Sequence, residues 1–327
     1  MRMEPRTFKF TYRPPAWLRN GHSNTIYSYL RRRRVELPAA EAVWLAAEPG
    51  VELCLEVNWQ PRPAPGLLLV HGLEGHSNVG YMRGLAAKAW ERGWHALRLN
   101  VRGCGISEER CRSLYHSGLS QDVDRAIQWA GSQSRITTLA ACGYSMGGNM
   151  LLRYLGQQGE RAGCVAAVAV SPSLDLAASA DRLHLKRNWL YERRFLRSLK
   201  RRVERKARAY PEIYRLPPLD EICSIRDFDE RITAPHMGFS GADEYYFRAS
   251  AARVADGIRV PTLILHAEDD PFIVITQESR QRLEANPAIR FIAFDHGGHC
   301  GFMQPGRERE DAYWAENRVM EFAATFI

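Results

Sequence analysis

From about Pro61 onward, short apolar runs alternate with amphipathic stretches, and this alternation constrains the fold more than any other feature of the chain. Apolar runs with the length of strands occupy residues 66–70, 95–101, 136–143, 164–170, 260–266 and 289–294. Helical periodicity predicts helices over residues 81–92, 120–132, 146–157, 275–285 and 307–326. Strands that alternate with helices indicate a mostly parallel sheet with helices on both faces. We therefore predict an α/β fold.

The interval from residue 174 to residue 257 interrupts this alternation. It is helix-like, rich in arginine and divided by four prolines. Because the strand–helix pattern resumes after it, a helical insertion explains the interval better than a second domain does. We predict a single domain over residues 1–327 with a basic helical insertion at 174–257.

Residues 143–147 read Gly-Tyr-Ser-Met-Gly, which matches the pattern G-x-S-x-G. The motif lies between a predicted strand and a predicted helix. In that setting the serine occupies a sharp turn, the nucleophile elbow, which lifts its hydroxyl above the edge of the sheet. The flanking glycines avoid collisions with the neighbouring strand and helix. Ser145 is therefore the candidate nucleophile.

A serine hydroxyl is a weak nucleophile at neutral pH and needs a base that a third group orients. Behind a nucleophile elbow, the acid and then the histidine follow later in the chain. Asp270 is the predicted orienting acid, and Asp269 is the alternative, since both follow the strand predicted over 260–266. His299 is the predicted base because two glycines before it allow the loop to bend back. The alternative base is His296.

The developing oxyanion also requires donors, each of which contributes about 2.7–4 kcal/mol in known enzymes. One predicted donor is the backbone N–H of Met146, which follows the nucleophile. The other is the N–H of Leu73, in the sequence His-Gly-Leu-Glu-Gly at residues 71–75, directly after the first predicted strand. An ordinary tight turn is the alternative interpretation of His71 and Gly72.

The basic charge of the chain is concentrated in the insertion. The formal net charge is +8, yet residues 181–208 contain 12 Lys or Arg against 3 Asp or Glu. That segment carries +9, so the rest of the chain is close to neutral. A lid helix with a solvated outer face explains the pattern, and so does docking to an anionic membrane or an acidic substrate group. No recognised nucleic-acid-binding module accompanies the arginines, and we expect no nucleic-acid partner.

Cysteine usage and the apolar runs indicate the compartment. The seven cysteines are odd in number and none forms a C-x-x-C pair, which favours a reduced compartment without a zinc or redox site. Residues 1–6 are charged and precede no apolar segment, so we expect no signal peptide. No apolar run approaches 18 residues. We predict a cytoplasmic protein without a metal or cofactor.

Several motifs together resemble those of the YheT-like (AB hydrolase 4) family of carboxylesterases. They are HGLEG at 71–75, YMRGL at 81–85, NVRGCG at 100–105, GYSMGGN at 143–149 and GGHCGF at 297–302, with Asn20-Gly21-His22 and Thr25-Ile26 near the N-terminus. The resemblance implies an α/β-hydrolase fold, with a mostly parallel central sheet and a helical lid insertion. It also implies the triad roles for Ser145, Asp270 and His299.

Two features depart from this resemblance. His76 stands where a small residue is expected, and it either narrows the mouth of the site or belongs to an exposed loop. The chain also lacks the membrane anchor of many eukaryotic relatives, which suggests a soluble member of bacterial type. Those eukaryotic relatives are linked to acylglycerol, phospholipid or medium-chain fatty ester chemistry.

The predicted function is a serine carboxylesterase that acts on small esters with short- to medium-chain acyl groups through an acyl-enzyme. Acyl transfer to an alcohol is the near alternative, since acceptor choice does not depend on the triad. A lipase or phospholipase that docks on a lipid surface through the basic lid is another. A non-catalytic binding protein is the least favoured interpretation.

Overall fold

The computed structural model describes residues 8–307 and 310–327, and all eight strands in this part of the chain belong to one sheet. The strands are β1 (Glu41–Glu48), β2 (Val51–Asn58), β3 (Ala64–Val70), β4 (His95–Asn100), β5 (Ile136–Tyr144), β6 (Ala166–Val170), β7 (Thr262–Ala267) and β8 (Ile289–Phe294). Their order across the sheet is β1-β2-β4-β3-β5-β6-β7-β8. Strand β2 is antiparallel to β1 and β4, and all other pairs are parallel. The predicted mostly parallel sheet is confirmed.

The helices follow the strands in the expected alternation. They are α1 (Gly21–Leu30), α2 (Gly80–Glu91), α3 (Ser120–Gly131), α4 (Met146–Gln158), α5 (Leu176–Leu183), α6 (Trp189–Ala209), α7 (Ile225–Phe228), α8 (Ala234–His236), α9 (Ala242–Ala249), α10 (Gln277–Ala285) and α11 (Trp314–Ala323). Helices α5 to α9 lie between β6 and β7, within the predicted insertion. None of the helices in the described residues is both long and apolar enough to cross a membrane.

Strand β3 shows why the central strands are apolar along their whole length. Leu67 and Leu69 belong to the core that includes α2 and α11, whereas Leu68 and Val70 belong to the core that includes α3 and α4. All four side chains are fully buried. Burying each such side chain contributes about 1.5–3 kcal/mol, so a strand covered on both faces needs an unbroken apolar run.

Two predictions about elements were incomplete or wrong. The first 60 residues contain α1, β1 and β2, which the sequence pattern did not indicate. The last helix does not span 307–326 but only Trp314–Ala323, because Met303 pairs with Tyr313 and Arg307 with Glu310 in isolated bridges. Residues 308 and 309 of that predicted helix, and the charged start at residues 1–6, lie outside the described residues.

Candidate active site

The candidate site lies at the carboxyl edge of the sheet. The parallel register aligns Val70 of β3 with Gly143 of β5, and Ala267 of β7 with Phe294 of β8. The loops that follow these strands therefore leave the sheet at the same edge. The segments that follow these strands carry the five predicted site residues: Leu73 after β3, Ser145 and the first residue of α4, Met146, after β5, Asp270 after β7, and His299 after β8.

Ser145 occupies a strained turn between β5 and α4. Its backbone has φ 52° and ψ −118°, a conformation that residues other than glycine rarely adopt. A Cβ on Gly143 would lie 2.4 Å from the carbonyl oxygen of Gly147, and a Cβ on Gly147 would lie 2.4 Å from the carbonyl oxygen of Val70. Only glycine fits at either position, so the motif permits the tight turn.

A chain of hydrogen bonds joins three of the predicted residues. The Nε2 atom of His299 lies 3.0 Å from the Oγ atom of Ser145, and its Nδ1 atom lies 2.8 Å from Oδ2 of Asp270. The other carboxylate oxygen of Asp270 accepts hydrogen bonds from the N–H groups of Phe272 (3.1 Å) and Ile273 (2.9 Å). These bonds fix the direction in which the buried carboxylate points.

The two alternative residues form a separate pair. Nδ1 of His296 lies 3.7 Å from Oδ2 of Asp269, and Oδ1 of Asp269 accepts a hydrogen bond of 2.8 Å from the N–H of Gly298. Burial raises the pKa of Asp269 above its usual value. This pair therefore shapes the loop before His299, and the structure does not bring it to Ser145.

A residue of helix α1 holds the backbone of His299 in place. The backbone N–H of His299 donates to Oγ1 of Thr25 at 2.8 Å, and its ring lies 4.3 Å from the ring of Phe272 between centroids. The sequence reasoning missed this role of Thr25. The only signal was the resemblance of the N-terminal motif to the family, because α1 lies far from the other site residues along the chain.

Opposing influences set the basicity of His299. Burial lowers the pKa of its imidazole, whereas the neighbouring Cys300 sulfur and the Asp270 carboxylate raise it, and the net pKa lies above the usual histidine value. We attribute the net direction to Asp270, whose carboxylate stabilises the protonated ring at hydrogen-bond distance.

Three N–H groups beside Leu73 in the loop after β3 have acceptors within the protein. The N–H of Gly72 donates to the hydroxyl of Tyr81 at 3.0 Å, that of Glu74 to the hydroxyl of Tyr115 at 3.2 Å, and that of Gly75 to the carbonyl of Gly72 at 3.0 Å. Within the described chain, neither the N–H of Leu73 nor that of Met146 has a hydrogen-bond acceptor. Both residues line one cavity with Ser145.

Glu74, the residue after Leu73, is tied to the inserted helix α6. Its Oε1 atom accepts hydrogen bonds from Nε of Arg202 at 2.8 Å and from the hydroxyl of Tyr115 at 2.5 Å, and its Oε2 atom accepts one from Ser198. Burial raises the pKa of Glu74, but Arg202 and the hydrogen bonds from Ser198 and Tyr115 together lower it more, so the net pKa lies below the usual value. Sequence reasoning missed this pair.

Asn149, in the first turns of α4, connects the elbow to the end of the insertion. Its side-chain amide donates to the carbonyl groups of Ser117 (2.8 Å) and Ala249 (2.9 Å), and its oxygen accepts from the N–H of Ala251 (2.8 Å). The side chain is fully buried. The motif GYSMGGN thus ends in a residue that holds two loops to the nucleophile helix.

Helices of the insertion form much of the cavity wall next to Ser145. The leucine, isoleucine and phenylalanine side chains that they contribute are Leu176, Leu183, Phe195, Leu199, Ile225 and Phe228. His76 is half-buried and does not line this cavity; its Nδ1 atom accepts a hydrogen bond from the N–H of Asn78 at 3.2 Å. The wall is therefore mainly apolar, and the polar side chains of Ser145, Arg202 and Asp229 also line it.

Sequence comparisons identify the family. The model for the alpha/beta hydrolase fold matches residues 65–305. YheT of Escherichia coli K12, which bears the provisional name of an esterase, is 33% identical over 96% of this chain and 93% of its own length. The chain belongs to the YheT-like family of α/β hydrolases.

A second relative has a name that describes a reaction. Medium-chain fatty acid ethyl ester synthase/esterase 2 of Saccharomyces cerevisiae is 30% identical, and the match covers 80% of this chain and 62% of the yeast protein. Among solved structures, Est1E from Butyrivibrio proteoclasticus with ferulic acid bound has a TM-score of 0.57 at 17% identity, over 87% of this chain and 99% of that one. This structural likeness supports the α/β-hydrolase fold.

Proposed function

We propose that this α/β hydrolase cleaves carboxylic esters through an acyl-enzyme, with Ser145 as nucleophile, His299 as general base and Asp270 as the group that orients the base. The observation that carries the proposal is the continuous hydrogen-bonded chain from Ser145 through His299 to Asp270. A serine acquires useful nucleophilicity only when such a base lies within hydrogen-bond distance.

The geometry supports these roles. Because Nδ1 of His299 donates to Asp270, the lone pair of Nε2 is directed at Ser145 and can accept its proton as the hydroxyl attacks the ester carbonyl. The N–H groups of Leu73 and Met146 stabilise the oxyanion. His299 then protonates the leaving alcohol, and a water molecule activated by His299 releases the acid.

The apolar cavity wall supports an acyl group of short to medium length as the substrate part bound next to Ser145. The yeast relative named for ethyl esters of medium-chain fatty acids supports the same acyl length. In this proposal residues 174–257 act as a lid, since their side chains cover the cavity and would have to move for a bulky ester to enter.

Hydrolysis of p-nitrophenyl esters from acetate to decanoate tests the proposal. Ser145→Ala should lower kcat by at least about 10⁴-fold, since loss of the nucleophile removes the covalent route. Ser173→Ala is the matched control, because Ser173 lines the same cavity but its hydroxyl has no hydrogen-bond partner in the described chain. A fluorophosphonate should label the wild type and the control only. Equal turnover by wild type and Ser145→Ala would rule out the proposal.

Acyl transfer to an alcohol is the second candidate, which the name of the yeast relative favours. Both reactions share the acyl-enzyme and differ only in the acceptor. Adding ethanol to the assay distinguishes them, because a transferase converts the acyl group mainly into ethyl ester and a hydrolase mainly into free acid.

A further inference from the structure

Helix α6 has an outer face of unusual composition. Between Trp189 and Arg205, every exposed position is tryptophan, leucine or arginine: Trp189, Leu190, Arg193, Arg194, Arg197, Arg201 and Arg205. The side of the helix that faces the protein carries Leu196, Leu199 and Val203. Trp189 and Leu190 remain 52% and 61% exposed, so two large apolar residues project into solvent beside the arginines.

Helix α1 extends this surface. Tyr29 and Leu30 are 63% and 66% exposed, and Trp17 and Ile26 are also exposed. The guanidinium of Arg194 on α6 donates to the hydroxyl of Tyr29 at 2.5 Å and lies 4.1 Å from the centre of its ring. The exposed sides of α1 and α6 therefore form one surface, which we name the α1–α6 face.

The cations of this face are not neutralised. In the part of the chain that the structure describes, Arg193, Arg194, Arg197 and Arg201 take part in no ion pair. Helix α1 contains no Asp or Glu, and the exposed Arg31 and Arg32 follow it directly. Among the described residues, Arg205 at the far end of the face is the one arginine of this face that pairs with a carboxylate, that of Glu108. The face therefore carries a strong positive charge.

The face also lies next to the candidate catalytic base. His22 of α1 stacks on Tyr191 of α6, with 5.7 Å between ring centroids. Tyr191 contacts Phe272 (5.3 Å), and Phe272 contacts His299 (4.3 Å). Tyr191 and Phe272 thus connect His22 of α1 to His299. A surface bound to the α1–α6 face would lie close to the side of the cavity that Phe272 lines.

We propose that the α1–α6 face docks on a phospholipid bilayer that contains anionic lipid. Arginines attract the anionic headgroups, and tryptophan and tyrosine prefer the boundary between headgroups and acyl chains. The exposed Leu30 and Leu190 distinguish this partner from a nucleic acid, because aliphatic side chains have no favourable contact with a sugar–phosphate backbone. Docking goes beyond ester hydrolysis and needs no catalytic step.

Co-sedimentation with vesicles tests the docking. The protein carries Ser145→Ala, so that binding is measured without chemistry and does not depend on the proposed esterase activity. It should sediment with vesicles of equimolar phosphatidylcholine and phosphatidylglycerol. With vesicles of pure phosphatidylcholine it should remain largely in the supernatant. Binding should weaken between about 0.1 M and 1 M salt, since the screening length falls from about 10 Å to 3 Å.

The variants distinguish the contribution of the arginine charges from that of the apolar side chains that enter the bilayer. Replacing Arg193, Arg197 and Arg201 together with glutamine should weaken binding about a hundredfold, because each cation near an anionic bilayer contributes about fivefold. The matched control replaces Arg62, Arg92 and Arg161, three exposed arginines that precede β3, β4 and β6 at the opposite edge of the sheet. It changes the net charge equally and should leave binding unchanged.

Trp189→Ser should weaken binding about tenfold on the same vesicles, since it removes an inserted ring and leaves the charge intact. Circular dichroism and thermal unfolding should be unaltered in all variants, because the replaced side chains are exposed. Equal losses in the two triple variants, or binding that ignores lipid charge and salt, would overturn the proposal. Binding to a DNA duplex is measured in parallel. If replacing Arg193, Arg197 and Arg201 abolished binding to DNA but not to the vesicles, the face would be a nucleic-acid surface and the proposal would be wrong.

Discussion

The two oxygens of Asp270 contact different groups, and this division determines the state of His299. Oδ1 accepts from two backbone N–H groups of its own loop, so only Oδ2 is available to the imidazole. The bond to Oδ2 favours the tautomer with a proton on Nδ1, which leaves Nε2 as a hydrogen-bond acceptor for Ser145. The same carboxylate raises the pKa of His299.

The pH dependence of catalysis should report this pair. His299 is active as a base when neutral, so kcat/KM should rise with pH as the imidazole loses its proton. Because Asp270 raises the pKa of His299, half-maximal activity should lie above the pH expected for an ordinary histidine. Asp270→Asn removes the negative charge, so it should move the midpoint to lower pH and lower kcat by about 10⁴-fold. Rate profiles over pH on p-nitrophenyl acetate measure both changes.

Asp269→Asn is the control for this measurement. Asp269 lies next to Asp270 in sequence but contacts Gly298 and His296, not His299. The control should keep the midpoint and most of kcat. If Asp269→Asn moved the midpoint and Asp270→Asn did not, the assignment of the orienting acid would be wrong.

At the level of residues, the sequence indicated the candidate triad but not the residues whose hydrogen bonds hold it in place. Ser145, Asp270 and His299 could be chosen because each follows a strand that ends at the same sheet edge, in the order that an elbow requires. Thr25 and Asn149 could not be chosen. Their partners come from distant parts of the chain, and a hydrogen bond to a backbone N–H has no signature in the sequence.

At the level of elements, the inserted helix α6 is bonded to the loop that carries Leu73. Arg202 reaches across from α6 to Glu74 and to the carbonyl of Gly103. The side chains of Arg202 and Glu74 are 8% and 9% exposed. The same helix thus presents arginines to solvent on one side and a buried arginine to the candidate oxyanion loop on the other.

Arg202→Leu should destabilise the protein by about 3–5 kcal/mol, because it leaves the Glu74 carboxylate buried without its cation. It should also lower kcat, since Glu74 adjoins Leu73. The free energy of unfolding in urea measures the first effect. Arg205→Leu is the matched control one turn along α6, where a half-exposed arginine pairs with Glu108. Its loss should cost less than about 1 kcal/mol, and a loss as large as that of Arg202→Leu would contradict the role assigned to Glu74.

At the level of the whole molecule, the two ends of the described chain meet on one side of the sheet. Phe8 packs on Phe322 with 4.9 Å between ring centroids, and Tyr12 packs on Trp314 at 5.1 Å. The indole of Trp314 donates to the carbonyl of Thr11 at 3.0 Å. The sequence did not predict this arrangement, because the aromatic partners of the N-terminal segment, Phe322 and Trp314, lie at the other end of the chain.

This junction of the two ends also reaches the candidate site. The hydroxyl of Tyr12 donates to the carbonyl of Met303 and accepts from the amide of Asn24, and both distances are 2.9 Å. Asn24 lies on α1, next to Thr25, which receives the N–H of His299. The N-terminal segment therefore stabilises the helix that holds the candidate base.

Phe10→Ala tests how much the N-terminal segment contributes to the stability of the whole fold. The ring of Phe10 is partly buried, 5.8 Å from that of Phe8 and 6.2 Å from that of Trp314. Removing it should lower the free energy of unfolding in urea by about 2 kcal/mol, close to the value for burying one large apolar side chain. Phe247→Ala is the matched control, because that phenylalanine is 57% exposed on α9. If both variants lost the same stability, the N-terminal aromatic residues would not act as part of the core.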